Sequence, residues 1–384
     1  MKLFANPRRR FCSLVSLLIL SVVIAACGNG GNTNPGSTTT GSTAPVNGKG
    51  CKKVGILMPE SASSPRWETY DHPALVSAIT QTTGITPDYA NAQGDSSLQL
   101  TQAQEDLAKG DCILVVAPHD STQAAAIVAL AKAKHVPVIA YDRLIQSKDL
   151  TAYVTFDNVQ VGVLQGTYIA NNYTKYVSAG HNNLVMINGA STDNNALLFK
   201  QGVHSVLDPL ISGGKLKNVY ETFTANWDNP TAQVEMEAAL TKTQDNVQIA
   251  YVANDGMANN VIAALKAKNL AGKVLVTGQD ASISGIHYIL LGYQNMTVYK
   301  KNSLEAQATA DVVQALINGT ALTTLTSAGK VTQIATTDGG NITTILETPV
   351  IVDASNVAST VIADNYVTKA QVCQGVPTGT DGVC

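Results

Sequence analysis

Charge is the first thing this sequence is short of: charged residues make up 14% of its 384 positions, and the formal net charge is −3. That balance supplies neither the basic stripe of a nucleic-acid binder nor an acidic interaction tail. Aromatic side chains amount to 5%, with two tryptophans. Arginine is scarce as well, occurring as Arg8, Arg9, Arg10, Arg66 and Arg143. No Cys-x-x-Cys pair is present, which argues against a metal site. There is no Gly-x-Ser-x-Gly elbow, no His-Glu-x-x-His helix and no phosphate loop, and the histidines are scattered. No cofactor is expected. What is plentiful is Ala, Val, Ile and Leu, and the length suggests two domains once the ends are set aside.

The longest apolar run, Leu14–Ile24, is too short to span a bilayer. Behind Arg8–Arg10, and before the small residues Ala25-Ala26 and Cys27, it reads as an export signal over 1–26. Small residues followed directly by cysteine resemble the bacterial lipoprotein signal, which implies acylation of Cys27. Residues 27–50 are rich in Gly, Ser, Thr and Asn and read as a flexible tether. The expected location is extracytoplasmic, on the outer face of the cytoplasmic membrane, with the N-terminal lipid as the only membrane contact. Export leaves Cys51, Cys112, Cys373 and Cys384, an even number in an oxidising compartment. Cys51 and Cys112 each open a strand that should neighbour the other, so the expected bridges are Cys51–Cys112 and Cys373–Cys384.

From Lys52 onward strand and helix patterns alternate. Apolar strands are expected at Val54–Met58, Ile85–Ala90, Cys112–Ala117, Val136–Tyr141 and Ala152–Phe156, with helices between, one capped at Asp95 or Ser96 and one at Ser121. After Asp157-Asn158 the pattern starts afresh, with strands at Asn183–Asn188, Val219–Phe223, Ile249–Ala253, Lys273–Thr277 and Met296–Lys300. An amphipathic helix, Ser303–Ile317, precedes a Gly/Thr-rich loop, a strand at Thr348–Val352 and a helix at 355–366. Near-continuous apolar strands separated by helices mean parallel sheets covered on both faces. The fold class is therefore α/β, two doubly wound lobes with a ligand cleft between them.

Ligands of open α/β sheets are met beyond the carboxyl ends of the strands. Here those positions hold the Arg66-Trp67 and Asp142-Arg143 pairs in the first lobe. In the second they hold Asn188, Asp193-Asn194-Asn195, Trp227-Asp228, Asn254-Asp255, Gln279-Asp280 and Lys300. Taken singly, Asp193 and Asp255 also read as helix caps, Lys300 as a solvated strand end and Trp67 as core. Taken together, both tryptophans and both remaining arginines fall at strand exits, with one tryptophan in each lobe. A sugar ring suits such a site, because it has apolar C–H faces for indole and hydroxyls that donate and accept.

The motifs Arg66-Trp67, Ala140-Tyr141-Asp142-Arg143, Phe156-Asp157-Asn158, Asp193-Asn194-Asn195-Ala196, Asn254-Asp255, Gly278-Gln279-Asp280-Ala281 and Thr297-Val298-Tyr299-Lys300 occur in an order that has a known counterpart. Over about residues 52–370 the chain resembles the xylose- and multiple-sugar-binding subfamily of type I periplasmic binding proteins of ABC transporters. The resemblance implies a pyranose between Trp67 and Trp227, hydrogen-bonded by Arg66, Asp142, Arg143, Asp193, Asn195, Asn254, Asp280 and Lys300. It implies delivery of a monosaccharide, xylose or a related aldopyranose such as glucose, to an ABC permease by a monomeric receptor. It also implies three crossovers, expected near 157–159, 300–303 and 328–345. The lobes are then 51–158 plus 301–328 and 159–300 plus 343–384. The sequence departs from the pattern at Ser61–Pro65 and at His119-Asp120.

Three rival functions share parts of this reading. A glycoside-cleaving enzyme could draw on Asp142, Asp193 and Asp280, although neighbouring arginines favour ionised acceptors over an acid. A sugar-responsive transcription regulator would need an N-terminal helix-turn-helix where the leader stands. A receptor reporting occupancy to a membrane sensor kinase would differ only in its docking partner.

Overall fold

Two parallel sheets grow out of the apolar runs. The structure is a computed structural model, and it describes residues 46–326 and 329–384. The leader, Cys27 and most of the tether lie outside the described residues. The first lobe opens with β1 (Val54–Met58), α1 (His72–Thr83), β2 (Asp88–Asn91), α2 (Ser96–Lys109), β3 (Ile113–Val116), α3 (Ala125–Ala133), β4 (Val138–Tyr141) and β5 (Ala152–Phe156). The second comprises α4 (Asn158–Asn172), β6 (Asn183–Asn188), α5 (Asn194–Ser212), β7 (Lys217–Phe223), α6 (Asn229–Thr243), β8 (Ile249–Val252), α7 (Asp255–Ala267), β9 (Leu275–Val276), α8 (Ile283–Leu290) and β10 (Met296–Tyr299). The chain then returns through α9 (Asn302–Asn318), β11 (Lys330–Ala335) and β12 (Asn341–Glu347), and ends with β13 (Val350–Asp353) and the short α10 (Lys369–Val372).

The first sheet runs β11-β12-β5-β4-β3-β1-β2, parallel except for the β11–β12 hairpin. The β1, β3 and β4 strands are buried on both faces. Ile56, Val115, Ile139 and Val154 pack under α1 and α9, while Leu57, Leu114, Val116 and Tyr153 pack under α2 and α3. The second lobe has the parallel sheet β7-β6-β8-β9 and an antiparallel pair, β10-β13. Asp95 caps α2 by accepting from the amides of Ser97 and Leu98, and Gly110 ends it in a left-handed conformation. Both expected disulfides are present: Cys51–Cys112 joins the entries of the paired strands β1 and β3, and Cys373–Cys384 closes the C-terminal segment.

Four expectations need correcting. The Gly/Thr-rich stretch carries a hairpin, because β12 is apolar on both faces, Ile342 packing on the α2/α3 side and Ile345 on the α1/α9 side, and it extends the first sheet beyond β5. The third crossover therefore lies between Glu347 and Val350 rather than at 328–345, and residues 343–347 belong to the first sheet. The chain leaves the first sheet after Phe156, enters α4 at Asn158, and passes from β10 into α9 between Tyr299 and Asn302. The helix at 355–366 shrinks to one wide turn, Ala358–Ile362. Finally, α3 starts at Ala125 without a side-chain cap, and the Ser121 hydroxyl instead accepts from the amide of Asn194 in the other lobe, at 3.1 Å.

Candidate functional site

The carboxyl ends of both sheets meet at one cavity of about 300 Å³, counting the open space at its mouth. All ten residues expected to contact ligand line it: Arg66, Trp67, Asp142, Arg143, Asp193, Asn195, Trp227, Asn254, Asp280 and Lys300. Each is almost wholly buried. Ser63, Ser64, Phe199 and Gln279 complete the wall.

Asp142 sits in a tight turn after β4 with φ of 57°, a conformation that L residues adopt only when their surroundings impose it. Here the surroundings do. The backbone carbonyl of Asp142 accepts from the Tyr153 hydroxyl at 2.7 Å, the Thr155 hydroxyl at 2.7 Å and the Asn195 amide at 3.0 Å. The side chain meets two cations, Arg66 at 2.9 Å and Lys300 at 3.0 Å. Burial opposes ionisation of this carboxyl, but Arg66 and Lys300 outweigh it and hold the group well below the usual carboxylate range.

Arg66 is fixed from behind. Its Nε and Nη2 donate to the two carboxylate oxygens of Asp71, each at 2.7 Å, a bidentate fork. Asp71 also accepts from the Tyr141 hydroxyl at 2.5 Å and the Asn302 amide at 2.6 Å. Glu305 on α9 lies 3.4 Å from Arg66 Nη2. Burial and the Asp142 charge push the Glu305 carboxyl well above its ordinary range.

Trp67 lies in the turn Trp67–Asp71 that precedes α1. Its indole Nε1 donates to Glu60 at 2.9 Å, and the guanidinium carbons of Arg66 and Arg143 lie 4.6 and 5.0 Å from its ring centroid. A desolvated cation against an indole contributes roughly 2 kcal/mol. Trp227 mirrors it in the second lobe, with Nε1 donating to Asp193 at 3.1 Å and the ring set edge-on to Phe199 at 6.3 Å. Trp227 has φ of 55°, exceptional for a bulky side chain. Its ring occupies the space over Gly189, where a Cβ would stand 2.1 Å from the indole. Both rings also belong to the cores of their own lobes.

Asp193 does cap α5, its Oδ1 accepting from the Asn195 amide at 2.9 Å. Its other oxygen pairs with Arg143 Nε at 2.8 Å, across the cleft. The Asp193 carboxyl is nevertheless moved up, because its burial exceeds the help from Arg143. Asp142 and Asp193 therefore move in opposite directions. Asn254, rather than Asp255, caps α7, its Oδ1 accepting from the Met257 amide at 3.0 Å, and Asn254 also lines the cavity. Lys300 is buried against Asp142, not a solvated strand end.

Asp280 closes the second wall. Its Oδ2 accepts from the Ser64 hydroxyl at 3.2 Å, across the cleft, while Oδ1 accepts no hydrogen bond among the described residues and lies 3.7 Å from Arg66 Nη1 and 3.8 Å from Lys300 Nζ. The amide oxygen of Gln279 is likewise buried without a donor. Buried acceptors normally find partners. Two such oxygens on one cavity wall form a surface that takes hydroxyl hydrogens. Of the lining residues beyond the expected set, Gln279 already stood out at a strand exit. Phe199 is signalled only by its spacing four residues after Asn195, which puts both on one face of α5. Ser63 and Ser64 lie in the loop where the family pattern is broken.

A model of the periplasmic binding protein domain matches residues 54–321. The D-xylose-binding periplasmic protein of Haemophilus influenzae is 36% identical over 284 residues, covering 73% of this chain and 81% of that protein. The multiple sugar-binding periplasmic protein of Azospirillum brasilense is 36% identical over 333 residues, 83% of this chain and 90% of its own length. Among solved structures, an ABC transporter solute binding protein of Clostridium phytofermentans with bound β-D-glucose superposes with a TM-score of 0.73. It is 30% identical and covers 84% of this chain and 100% of that one. A carbohydrate transporter solute binding protein of Chloroflexus aurantiacus in complex with D-glucose gives a TM-score of 0.72 at 30% identity, covering 83% and 97%. On that likeness the chain belongs to the periplasmic binding proteins, and its two lobes form the type I fold of that family.

Proposed function

We propose that this protein is an extracytoplasmic receptor that closes on a neutral monosaccharide, D-xylose or a related aldopyranose such as glucose, and delivers it to an ABC permease. One observation carries the reading: the interlobe cavity gathers both tryptophans, paired cations and carboxylates, and two buried acceptor oxygens that accept no hydrogen bond among the described residues. The indoles suit the C–H faces of a pyranose, and the free oxygens suit its hydroxyls. Within the cavity, Arg66, Arg143 and Lys300 already face carboxylates, which leaves no spare cation for a sugar acid or sugar phosphate. The relatives named for D-xylose and for multiple sugars, and the two glucose-bound structures, support the same ligand class. Cys27, at the end of an export-type leader, is the residue proposed to carry the lipid that holds the receptor at the membrane. The Arg66, Trp67, Asp142, Arg143, Asp193, Asn195, Trp227, Asn254, Asp280 and Lys300 side chains form the proposed ligand shell.

Binding in this reading requires no chemistry, only contacts that exist when the lobes are shut. The test is calorimetric titration with a panel of pentoses and hexoses. A Kd near the micromolar range for at least one aldose is expected, equivalent to about −8 kcal/mol. Trp67→Ala and Arg143→Ala should each weaken it at least tenfold. Unchanged affinity in both variants would remove this site, and turnover of aryl glycosides would replace the receptor with an enzyme.

A further inference from the structure

Asp255 touches none of the cavity space, yet it is fully buried directly behind the wall that presents Asp280. Its Oδ1 accepts from the Gln294 amide at 2.7 Å and from the Thr297 hydroxyl at 2.8 Å. Its Oδ2 accepts from the backbone amide of Ser282 at 2.8 Å, and its own backbone amide donates to the carbonyl of Gln279 at 2.9 Å. Thr297 Oγ1 in turn accepts from the amide of Ala281 at 3.1 Å. The loop from Gly278 to Ser282 is thus wrapped around one carboxylate. Asp280 and Ala281 within it have φ of 96° and 50°, two consecutive left-handed L residues. A backbone of that kind persists only where its surroundings over-determine it. The packing is close: a Cβ on Gly278 would stand 2.1 Å from Asp255 Oδ1, and one on Gly285 would stand 2.2 Å from Oδ2. The strained loop delivers the one cavity carboxylate whose Oδ1 accepts no hydrogen bond among the described residues, with Arg66 and Lys300 at ion-pair distance from it.

We infer that Asp255 is a positioning residue for ligand recognition: its carboxylate holds the loop in the left-handed turn that aims Asp280 Oδ1 at a ligand hydroxyl. The ligand half of this statement rests on the aldose-receptor reading; the loop half does not. Asp255 organises four elements at once, the start of α7, the loop after β9, the start of α8 and β10. Gln294 and Thr297 hold the carboxylate, and the Tyr366 hydroxyl donates to the Asp280 carbonyl at 3.1 Å.

Two readouts separate the halves. Without any sugar, amide hydrogen exchange at Ala281 and Ser282 should be at least tenfold faster in Asp255→Asn and in Thr297→Val than in the unaltered protein. Thr297→Ser, which keeps the hydroxyl, should restore protection. With D-glucose and D-xylose as probes, Asp255→Asn should lose at least tenfold in affinity. That loss should shrink to less than twofold when Asp280→Asn is already present, because the two residues then act through one contact. Faster exchange without aldose binding in the unaltered protein would sink the receptor reading alone and leave the positioning role standing. Unchanged exchange in the Thr297→Val protein, or equal affinity losses with and without Asp280→Asn, would overturn the role of Asp255. Should Asp255→Asn fail to fold, the Thr297 pair carries both measurements.

Discussion

At the scale of single residues, the cavity is built on backbone that most side chains avoid. Asp142, Trp227 and Asp280 all have positive φ, and each is pinned by neighbours: Tyr153 and Thr155 on the first, Gly189 under the second, Asp255 behind the third. Gly189→Ala tests the second case. The added methyl collides with the indole, so Trp227 must leave its seat; aldose affinity should fall at least tenfold, read by calorimetry, and the melting temperature should drop. Asp142→Asn tests the first. It strips charge from a buried site holding two cations, a change that typically costs about 3–5 kcal/mol, and a lowered urea midpoint should report it. The residues of this site were legible because strand exits are few, and the scarce residue types, both tryptophans and the last two arginines, all fall there. The supports behind them were not legible. Glu60, Asp71 and Glu305 look like ordinary charged positions in sequence, and only packing brings them against Trp67 and Arg66.

At the scale of elements, the parallel strands announced themselves by apolar runs that need both faces covered. The β11–β12 hairpin did not, because β11 lies at a sheet edge with no fully buried residue and reads as polar loop. Val357 and Val361, four apart, imitate a helix face, but the turn they belong to is one loop of wide helix that Asn365, with φ of 55°, helps to end. Two element-level stabilities can be measured. Asp95→Ala removes the acceptor for two orphan amides of α2 and should cost about 1 kcal/mol in urea unfolding. Replacing Cys51 and Cys112 together by alanine releases a loop spanning 61 residues. Loop-closure entropy for that span corresponds to about 4 kcal/mol. The same variant should leave sugar affinity within about threefold, since the bridge lies at the amino ends of β1 and β3.

At the scale of the whole molecule, buried acids decide how stability follows pH. Burial, with Asp280 adding to it, pushes the Asp255 carboxyl up to about 7, and Asp193 and Glu305 are also raised. Such groups keep protons in the folded chain that the unfolded chain has already released, so their contribution is largest in acid and fades as pH climbs. For Asp255 alone the window runs from about 4 to about 7, with a slope approaching 1.4 kcal/mol per pH unit. Urea midpoints across that window should fall with rising pH in the parent and fall less steeply in Asp255→Asn. The way the lobes meet has a consequence of its own. The first loop reaches across through uncharged donors, the Asn229 amide to the Ser63 carbonyl at 3.3 Å and the Ser64 hydroxyl to Asp280, while the bridging ions Arg143 and Asp193 are sealed from solvent. Dissolved salt weakens exposed charges as the screening distance contracts from about 30 Å at 0.01 M to about 3 Å at 1 M, but it barely reaches sealed ones. The residence time of a captured sugar should therefore be nearly the same in dilute buffer and in brine, and stopped-flow release rates differing by more than about twofold over that range would show that the seal leaks.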